Sequence, residues 1–310
     1  MAPLLITIII VISISATLYY NSIIGYGSET VRFAVELNDH SAAFWIALDK
    51  GWFKDAGINV DYKAFSTGLE LAAAMAKEDI DVALACIGPL LMVKAKGVPI
   101  KLVAMTHLHG YAIVANSKYT NITQLNGKAI SATGPGSPTW LLVKLVEDKY
   151  NISFDLKRMP PFVAVGAVVS GKIDAASIPE HYVTLAEAMG ARVLVRSQEI
   201  WSSMPGSGVA VTEGFLKSHR DIVVKIVGIL SRAVKYIKEH PDDAAKIVAK
   251  HLASDTSIMR ESMKHLDYTT NIDLIEIAKY INYLRDYGVL ESNITVEDFV
   301  DKSILGEINK

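Results

Sequence analysis

The chain has 310 residues, 51% of them hydrophobic and 21% charged, which is enough apolar material for one large core or two medium cores. The formal net charge of −2 gives no overall electrostatic attraction to nucleic acid, so no nucleic-acid partner is expected. The single cysteine, Cys86, excludes a disulfide framework and a thiolate metal site, and its apolar surroundings favour a buried small residue.

The N-terminus is uncharged and strongly apolar. Residues 1–28 contain no charged side chain, and the stretch 4–18 is dominated by Ile, Leu and Val. Its length approaches the roughly 20 residues that a membrane-spanning helix needs. The sequence therefore predicts export, with residues 1–27 as a signal peptide or a membrane anchor; retention is favoured slightly over cleavage, and a buried core helix is the alternative. Glycosylation sequons, which agree with export, begin at Asn121, Asn151 and Asn293.

Strands and helices alternate through the next part of the chain. The segments that predict strands are 31–37, 58–65, 82–87, 129–132, 154–158, 173–178 and 209–212. The segments that predict helices between them are 42–53, 69–77, 139–149, 162–170 and 182–189. This alternation predicts parallel sheets with helices on both faces.

One βα pattern occurs twice with equal spacing. Asp81 precedes Gly97 by the same number of positions as Asp174 precedes Gly190, and each glycine is followed by a short apolar run. The repetition predicts two related α/β lobes with a cleft between them, although β-helix-β units of unrelated α/β proteins also look alike. A cleft with two mobile walls is typical of a binding protein.

The C-terminal part is almost entirely helical by its patterning, and we expect it to pack on the first lobe. Its predicted helices begin near Asp221, Pro241, Ile272 and Val296. Two segments would then cross between the lobes, near 112–116 and 205–211, and two crossings make a hinge. The predicted division is 28–114 for the first part of lobe 1, 115–205 for lobe 2 and 206–310 for the return to lobe 1.

The candidate binding site is selected by a rule of open parallel sheets, whose ligands lie beyond the carboxyl ends of the strands. The loops that this rule selects are 38–41, 66–68, 88–89, 133–139 and 179–182. The glycine- and proline-rich loop 133–139 brings Ser137 and Thr139 to the start of a helix, where free N–H groups and the helix dipole favour an anion. A Ser or Thr that only caps its own helix is the alternative interpretation.

Other polar residues in these loops give no catalytic pattern. Glu180 could accept a hydrogen bond from an ammonium or amide of a ligand or orient His181, and the alternative is a solvated loop pair. His107 and His109 have no third ligand nearby in the sequence and are interpreted as a structural pair. Because no Gly-x-Ser-x-Gly motif or paired carboxylates stand out, no catalytic residue, metal or cofactor is predicted.

Several segments resemble motifs of the solute-binding proteins of ABC transporters for nitrate, sulfonates and taurine. Residues 47–58 resemble the family's Ala-x-x-x-Gly-x-Phe-x-x-x-Gly-hydrophobic signature. The further matching segments are, in order, 124–130, 136–137, 171–175 and 241–245. Glu180 is followed by His181 where the family often has Pro, and Gln124 replaces an acid. The resemblance extends over about residues 31–252.

The resemblance implies a two-lobed periplasmic-binding-protein-like α/β fold of type II, with two βα sheets joined by a two-segment hinge. It implies an extracytoplasmic receptor, in the periplasm or at the cell surface, that captures a small, usually anionic solute. The receptor would be a monomer, without catalytic activity, that delivers the solute to the transmembrane subunits of an ABC permease with a cytoplasmic ATPase. The matching positions that would line the cleft are Asn38, Asp39, His40, Ser41, Thr67, Gly68, Gly88, Pro89, Gly136, Ser137, Pro138, Thr139, Glu180, His181 and Tyr182.

The main alternative is an enzyme on a similar fold that acts in thiamine-pyrimidine or menaquinone precursor metabolism. Such an enzyme would be cytosolic, and the uncharged N-terminus therefore favours the receptor. An effector-sensing domain of a signalling protein is a third possibility. Nitrate, a sulfonate, a carboxylate and an uncharged heterocycle are all compatible with the sequence as the solute.

Overall fold

Residues 29–77 and 80–308 are described in a computed structural model of the chain. The strands in these residues are β1 (Glu29–Glu36), β2 (Ile58–Phe65), β3 (Val82–Cys86), β4 (Ile100–His109), β5 (Tyr111–Ala115), β6 (Ala129–Ala132), β7 (Asp155–Arg158), β8 (Ala175–Pro179), β9 (Arg192–Arg196), β10 (Pro205–Thr212) and β11 (Leu266–Tyr268). The 3-10 turns are Asp39–Ser41, Ile122–Leu125 and Met263–His265.

The α-helices in the same residues are α1 (Ala42–Asp49), α2 (Trp52–Asp55), α3 (Gly68–Met75), α4 (Ile87–Ala95), α5 (Pro138–Tyr150), α6 (Pro161–Val169), α7 (Glu180–Ala188), α8 (Ser197–Ile200), α9 (Glu213–Ser218), α10 (Arg220–Glu239), α11 (Pro241–Leu252), α12 (Thr256–Ser262), α13 (Leu274–Asp286), α14 (Val296–Phe299) and α15 (Ser303–Ile308). Within the described ranges, no helix combines the length and the apolar character needed to cross a membrane. The predicted signal peptide or anchor, 1–27, lies outside these ranges.

The first sheet has six strands in the order β11-β4-β10-β3-β1-β2. Strand β1 is parallel to β2 and β3, as the alternating pattern predicts. Strand β10 lies antiparallel between β3 and β4, and β11 is antiparallel to β4. The prediction of purely parallel sheets is therefore wrong, because the chain returns to this sheet in the opposite direction.

The second sheet has five strands in the order β7-β6-β8-β5-β9. Its βα units again place β6 parallel to β7 and β8. Strand β5, which enters from the first sheet, is antiparallel to both β8 and β9. The two sheets thus share one plan, in which parallel βα units receive an antiparallel strand from the other sheet.

The chain passes between the sheets twice. It leaves the first sheet at Gly110, which has a φ of +86° and separates β4 from β5. It returns between β9 and β10, through α8. The first crossing lies before the predicted segment 112–116, because residues 111–115 pair with β8 and β9. Below, lobe 1 denotes the six-stranded sheet and the helices on it, and lobe 2 denotes the five-stranded sheet and its helices.

The C-terminal helices cover lobe 1, as the sequence predicts. Helix α10 agrees closely with the predicted helix at 221–238, and its buried Ile226 and Leu230 belong to the same core as Phe33 of β1. Helix α11 begins with Pro241 at its first turn, followed by two acids that favour the positive end of the helix dipole. Burial of one apolar stripe per helix therefore holds this part of the chain on the first sheet.

Helix α13 differs, because it also contacts lobe 2. The Trp201 Nε1 group of lobe 2 donates a hydrogen bond to the Glu276 carboxylate of α13 at 2.5 Å. The Tyr287 hydroxyl, just after α13, donates to Asp148 of α5. One continuous apolar cluster includes Leu71 of lobe 1 and Leu141 of lobe 2. The two lobes are thus in contact over both polar and apolar groups.

Candidate functional site

A pocket lies between the lobes at the carboxyl ends of their strands. Glu36 and Cys86 end strands of lobe 1, and Pro179 ends a strand of lobe 2. The space between its lining residues is about 320 Å³, including the part that is open to solvent. The residues that line it are Glu36, Asn38, Ser66, Thr67, Gly68, Leu69, Cys86, Pro89, Tyr111, Thr133, Ser137, Pro138, Thr139, Pro161 and Pro179. The pocket thus lies at the edge of both sheets that the rule of strand carboxyl ends selects.

Part of the predicted site lines this pocket and part does not. The predicted residues that line it are Asn38, Thr67, Gly68, Pro89, Ser137, Pro138 and Thr139. The predicted residues outside its lining are Asp39, His40, Ser41, Gly88, Gly136, Glu180, His181 and Tyr182. Those in the second group lie immediately around the pocket, in turns and in the first residues of α4 and α7.

The helices that begin at the pocket present the positive ends of their dipoles to it. Helix α3 begins after Thr67, whose hydroxyl accepts a hydrogen bond from Glu70 N at 3.2 Å. Helix α5 begins after Ser137, which accepts from Trp140 N at 3.2 Å. Ser137 therefore caps its own helix, which is the role that the alternative interpretation of the sequence predicts. The remaining N–H groups of a first helical turn have no partner within the helix and can bind an anion.

Positive side chains are absent from the pocket lining in the part of the chain that the structure describes. Arg158 lies in an adjoining cavity at the mouth, which shares Thr67, Leu69 and Thr133 with the pocket. Its Nε group donates to the Thr133 carbonyl at 3.1 Å. Helix starts are therefore the groups with positive character in the pocket lining, and Arg158 lines only the adjoining cavity.

Glu36 is a buried acid at the base of the pocket that the sequence prediction missed. Its carboxyl group accepts hydrogen bonds from Cys86 N at 2.7 Å and from Asn38 Nδ2 at 3.1 Å. Burial raises its pKa, against the lowering effect of these hydrogen bonds. An acid directly after the buried apolar run of β1 is the signal that identifies such a residue, since an isolated buried acid is rare.

A pair of buried polar side chains, Asp39 and His181, lies beside the pocket where the two lobes meet. Asp39 Oδ1 of lobe 1 is 3.9 Å from His181 Nδ1 of lobe 2. Burial raises the pKa of Asp39 to about 6 and lowers that of His181 to about 4.

Glu180 forms an ion pair with Arg196 at 2.5 Å inside lobe 2. Burial raises the pKa of Glu180, against the lowering effect of that arginine. Glu180 is thus engaged within its own lobe, in the first turn of α7, and because Glu180 and His181 are both buried, the alternative of a solvated loop pair is wrong.

Gly88 and Gly136 bring the two lobes into backbone contact. A Cβ atom on Gly88 would lie 2.1 Å from the Gly136 carbonyl oxygen, which is far inside van der Waals contact. A Cβ atom on Gly136 would lie 1.8 Å from Met92 Sδ, and the φ of Gly136 is +82°. These two predicted site residues therefore meet each other across the cleft.

Solved structures with the same fold include two anion-binding proteins. An alkanesulfonate-binding protein from Xanthomonas axonopodis pv. citri, solved with bound MOPS, superimposes with a TM-score of 0.78 and 17% identity, covering 88% of this chain and 98% of that chain. A periplasmic nitrate-binding protein from Synechocystis PCC 6803 superimposes with a TM-score of 0.81 and 12% identity, covering 90% of this chain and 88% of that chain. The predicted two-lobed fold is confirmed by these likenesses.

Sequence comparisons agree with the fold. A protein of Bacillus subtilis (strain 168) named as an aliphatic sulfonates-binding protein is 26% identical over 317 residues, covering 97% of this chain and 95% of that protein. A family model described as NMT1/THI5 like matches residues 38–244. That match includes the turn after β1, the whole of lobe 2 and every lining residue of the pocket except Glu36, and the chain therefore belongs to the NMT1/THI5-like family.

Proposed function

We propose that this chain is the extracytoplasmic solute-binding protein of an ABC importer. The observation that carries the proposal is the pocket between the lobes, whose walls come from strand ends and helix starts of both. Such a pocket is complete only when the lobes are together, so a solute that contacts both walls stabilises the closed form. The names of the sulfonate- and nitrate-binding relatives support the same function.

The solute that fits this pocket is small and carries an anionic group. The starts of α3, α5 and α6 supply N–H groups without placing a mobile charged side chain in the pocket. Burial raises the pKa of Glu36, which lowers the cost of placing an anionic group beside this carboxyl. A sulfonate such as taurine, or nitrate, meets these requirements.

The crossings at Gly110 and at 202–204 act as the hinge about which the lobes separate. The closed protein, with its solute bound, docks as a monomer on the transmembrane subunits of the permease, whose cytoplasmic ATPase drives transport. Release of the solute then requires that the contact between Gly88 and Gly136 opens. The apolar N-terminal segment directs export and remains as an anchor beside that permease.

A calorimetric titration of the full-length chain with nitrate, taurine and a short alkanesulfonate tests the proposal. We expect one of these anions to bind with a one-to-one stoichiometry. Ser137→Asp should weaken that binding by more than about tenfold, because a carboxylate at the start of α5 repels the anion. The control Ser137→Asn keeps a capping side chain without the charge and should bind nearly as tightly as the wild type.

Failure of all three anions to bind, together with catalytic turnover of a precursor molecule, would contradict the receptor function. Binding that is equally tight in Ser137→Asp and Ser137→Asn would instead show that the anion lies away from α5. Circular dichroism of both variants confirms that they are folded.

A further inference from the structure

Three potential metal ligands meet at the base of the pocket, although they are far apart in the sequence. Glu36 ends β1, His40 lies in the following 3-10 turn, and Cys86 ends β3. One carboxylate oxygen, one ring nitrogen and the sulfur all lie within 4.8 Å of one another, and all three residues are buried. The expectation that Cys86 takes part in no metal site was based on cysteine number and on spacing along the chain, which does not reveal this cluster.

The ring of His40 is oriented as a metal-binding imidazole usually is. Its Nε2 atom is 3.0 Å from the Gly110 carbonyl oxygen, which can only accept, so Nε2 carries the proton. The lone pair of Nδ1 then faces the cluster, 4.0 Å from Glu36 Oε2 and 3.4 Å from the Tyr111 hydroxyl. A backbone carbonyl that fixes the second ring nitrogen is the common outer partner of metal-bound histidine. Gly110 can approach this closely because it has no side chain. A Cβ atom at this position would lie only 2.9 Å from His40 Nε2.

The other two groups are also held in place. Glu36 Oε1 accepts from Cys86 N at 2.7 Å, and Oε2 accepts from Asn38 Nδ2 at 3.1 Å. Cys86 Sγ lies 3.2 Å from the Tyr111 hydroxyl. The side chains are therefore arranged before any ion arrives, which lowers the cost of ordering them on binding.

We propose that Glu36, His40 and Cys86 bind a divalent transition-metal ion, of which Zn²⁺ fits best. One nitrogen, one oxygen and one sulfur ligand suit Zn²⁺, which accepts all three donor types in a tetrahedral site. Three protein ligands leave a fourth position, and the pocket lined by Glu36, Cys86 and Tyr111 opens onto it. A water molecule, the Tyr111 hydroxyl or a donor atom of the solute occupies that position.

The charges of the site are consistent with this ion. The Gly110 carbonyl holds a proton on Nε2 of His40, so a neutral His40 ring keeps the Nδ1 lone pair for the metal. An unbound thiol carries its proton at neutral pH, since its ordinary pKa is about 8.5. On binding, the S–H bond breaks, the proton leaves to solvent and a sulfur–metal bond forms. The carboxylate of Glu36 and the new thiolate then balance the two positive charges of Zn²⁺.

The three ligands all belong to lobe 1, so the ion needs no ligand from lobe 2, whose Tyr111 only contacts His40 and Cys86. This separates the metal site from the proposed capture of a solute, which needs both lobes. The metal site can therefore be tested in the absence of any solute, and it stands whether or not an anion binds.

Titration of the full-length chain with Co²⁺ after treatment with EDTA tests the proposal, since Co²⁺ takes the geometry of Zn²⁺ and is coloured. We expect one equivalent to give a thiolate-to-cobalt charge-transfer band, together with the intense visible bands of a tetrahedral site. Added Zn²⁺ should displace Co²⁺ and thereby remove both the charge-transfer band and the visible bands. Because Cys86 is the only cysteine in the chain, the thiolate band identifies the site without ambiguity.

Variants separate this site from histidines at the surface. Cys86→Ser should abolish the thiolate band, and His40→Gln and Glu36→Gln should each weaken Co²⁺ binding by more than about tenfold. The matched control is His219→Gln, since His219 is only half-buried and pairs with Glu29 rather than with any residue of the cluster, and it should bind like the wild type.

The proposal is overturned if the folded chain shows no thiolate band with excess Co²⁺. It is also overturned if His219→Gln loses Co²⁺ while His40→Gln retains it, because the ion then sits at the surface. As a second readout, Zn²⁺ should raise the melting temperature of the wild type and not that of Cys86→Ser, and an equal rise in both would contradict the site. Circular dichroism establishes that each variant is folded. If Cys86→Ser does not fold, the melting temperatures are compared with Glu36→Gln instead.

Discussion

His181 is a neutral imidazole buried where the lobes meet. Burial lowers its pKa to about 4, and its Nδ1 atom lies 3.9 Å from Asp39 Oδ1 without a hydrogen bond. The ordinary pKa of histidine is about 6.5. Between these two pH values the unfolded chain binds more protons at this position than the folded one, so acid favours unfolding through His181.

We therefore predict that His181 makes the free energy of unfolding fall as the pH is lowered from 6.5 to 4. The slope from one such proton is about 1.4 kcal/mol per pH unit. His181→Gln should remove that part of the slope, as measured by urea denaturation at several pH values. His219→Gln is the control for the loss of a histidine, and an unchanged slope in His181→Gln would contradict the prediction.

The residues of the site were predictable to different degrees. Thr67 and Ser137 follow strands and precede helices, and the ends of strands are visible in the sequence. Glu36 and Tyr111 were missed because each lies at the boundary of an apolar strand, where periodicity cannot show that a polar group faces a pocket. His40 was included in the site, but its pairing with Cys86 depends on the contact between distant segments.

Helix starts are the elements that form both the pocket and the contact between the lobes. Gly88 lies in the first turn of α4 and contacts the Gly136 carbonyl in the loop before α5. This contact leaves no room for a side chain, since the ideal Cβ of Gly88 falls 2.1 Å from that oxygen. The two glycines therefore set how closely the lobes approach.

We predict that Gly88→Ala holds the lobes apart and weakens solute binding by more than about tenfold, a loss of about 1.4 kcal/mol. Calorimetric titration with the anion that binds the wild type measures the effect. The matched control is Gly166→Ala, since Gly166 is also helical and an added Cβ meets nothing within 4 Å. Equal affinities of both variants and the wild type would show that closure to this contact is not needed.

Elements with a strong period of their own were predicted well. The amphipathic pattern at 221–238 gave α10 to within a residue at each end, because one face of that helix is buried and the other is exposed. The predicted helix 42–53 is instead two helices, which Gly51 separates with a φ of +73°. The antiparallel entry of β5 into the second sheet was not predictable, because strand direction depends on pairing between distant residues.

At the scale of the whole molecule, two sheets built on one plan exchange an antiparallel strand, and their carboxyl ends face a shared pocket. The repeated spacing of Asp81–Gly97 and Asp174–Gly190 predicted the two lobes. It did not predict the bridge formed by α13, in which Trp201 and Glu276 join lobe 2 to the C-terminal part. That bridge depends on side chains that meet only after both lobes have folded.

A crystal structure of the full-length chain with the anion that binds most tightly would show where the solute lies. We expect one solute molecule between the lobes, with its anionic group at the starts of α3 and α5 near Thr67 and Ser137, and with contacts to both lobes. A solute bound outside the pocket, or held by one lobe alone, would rule out capture between the lobes.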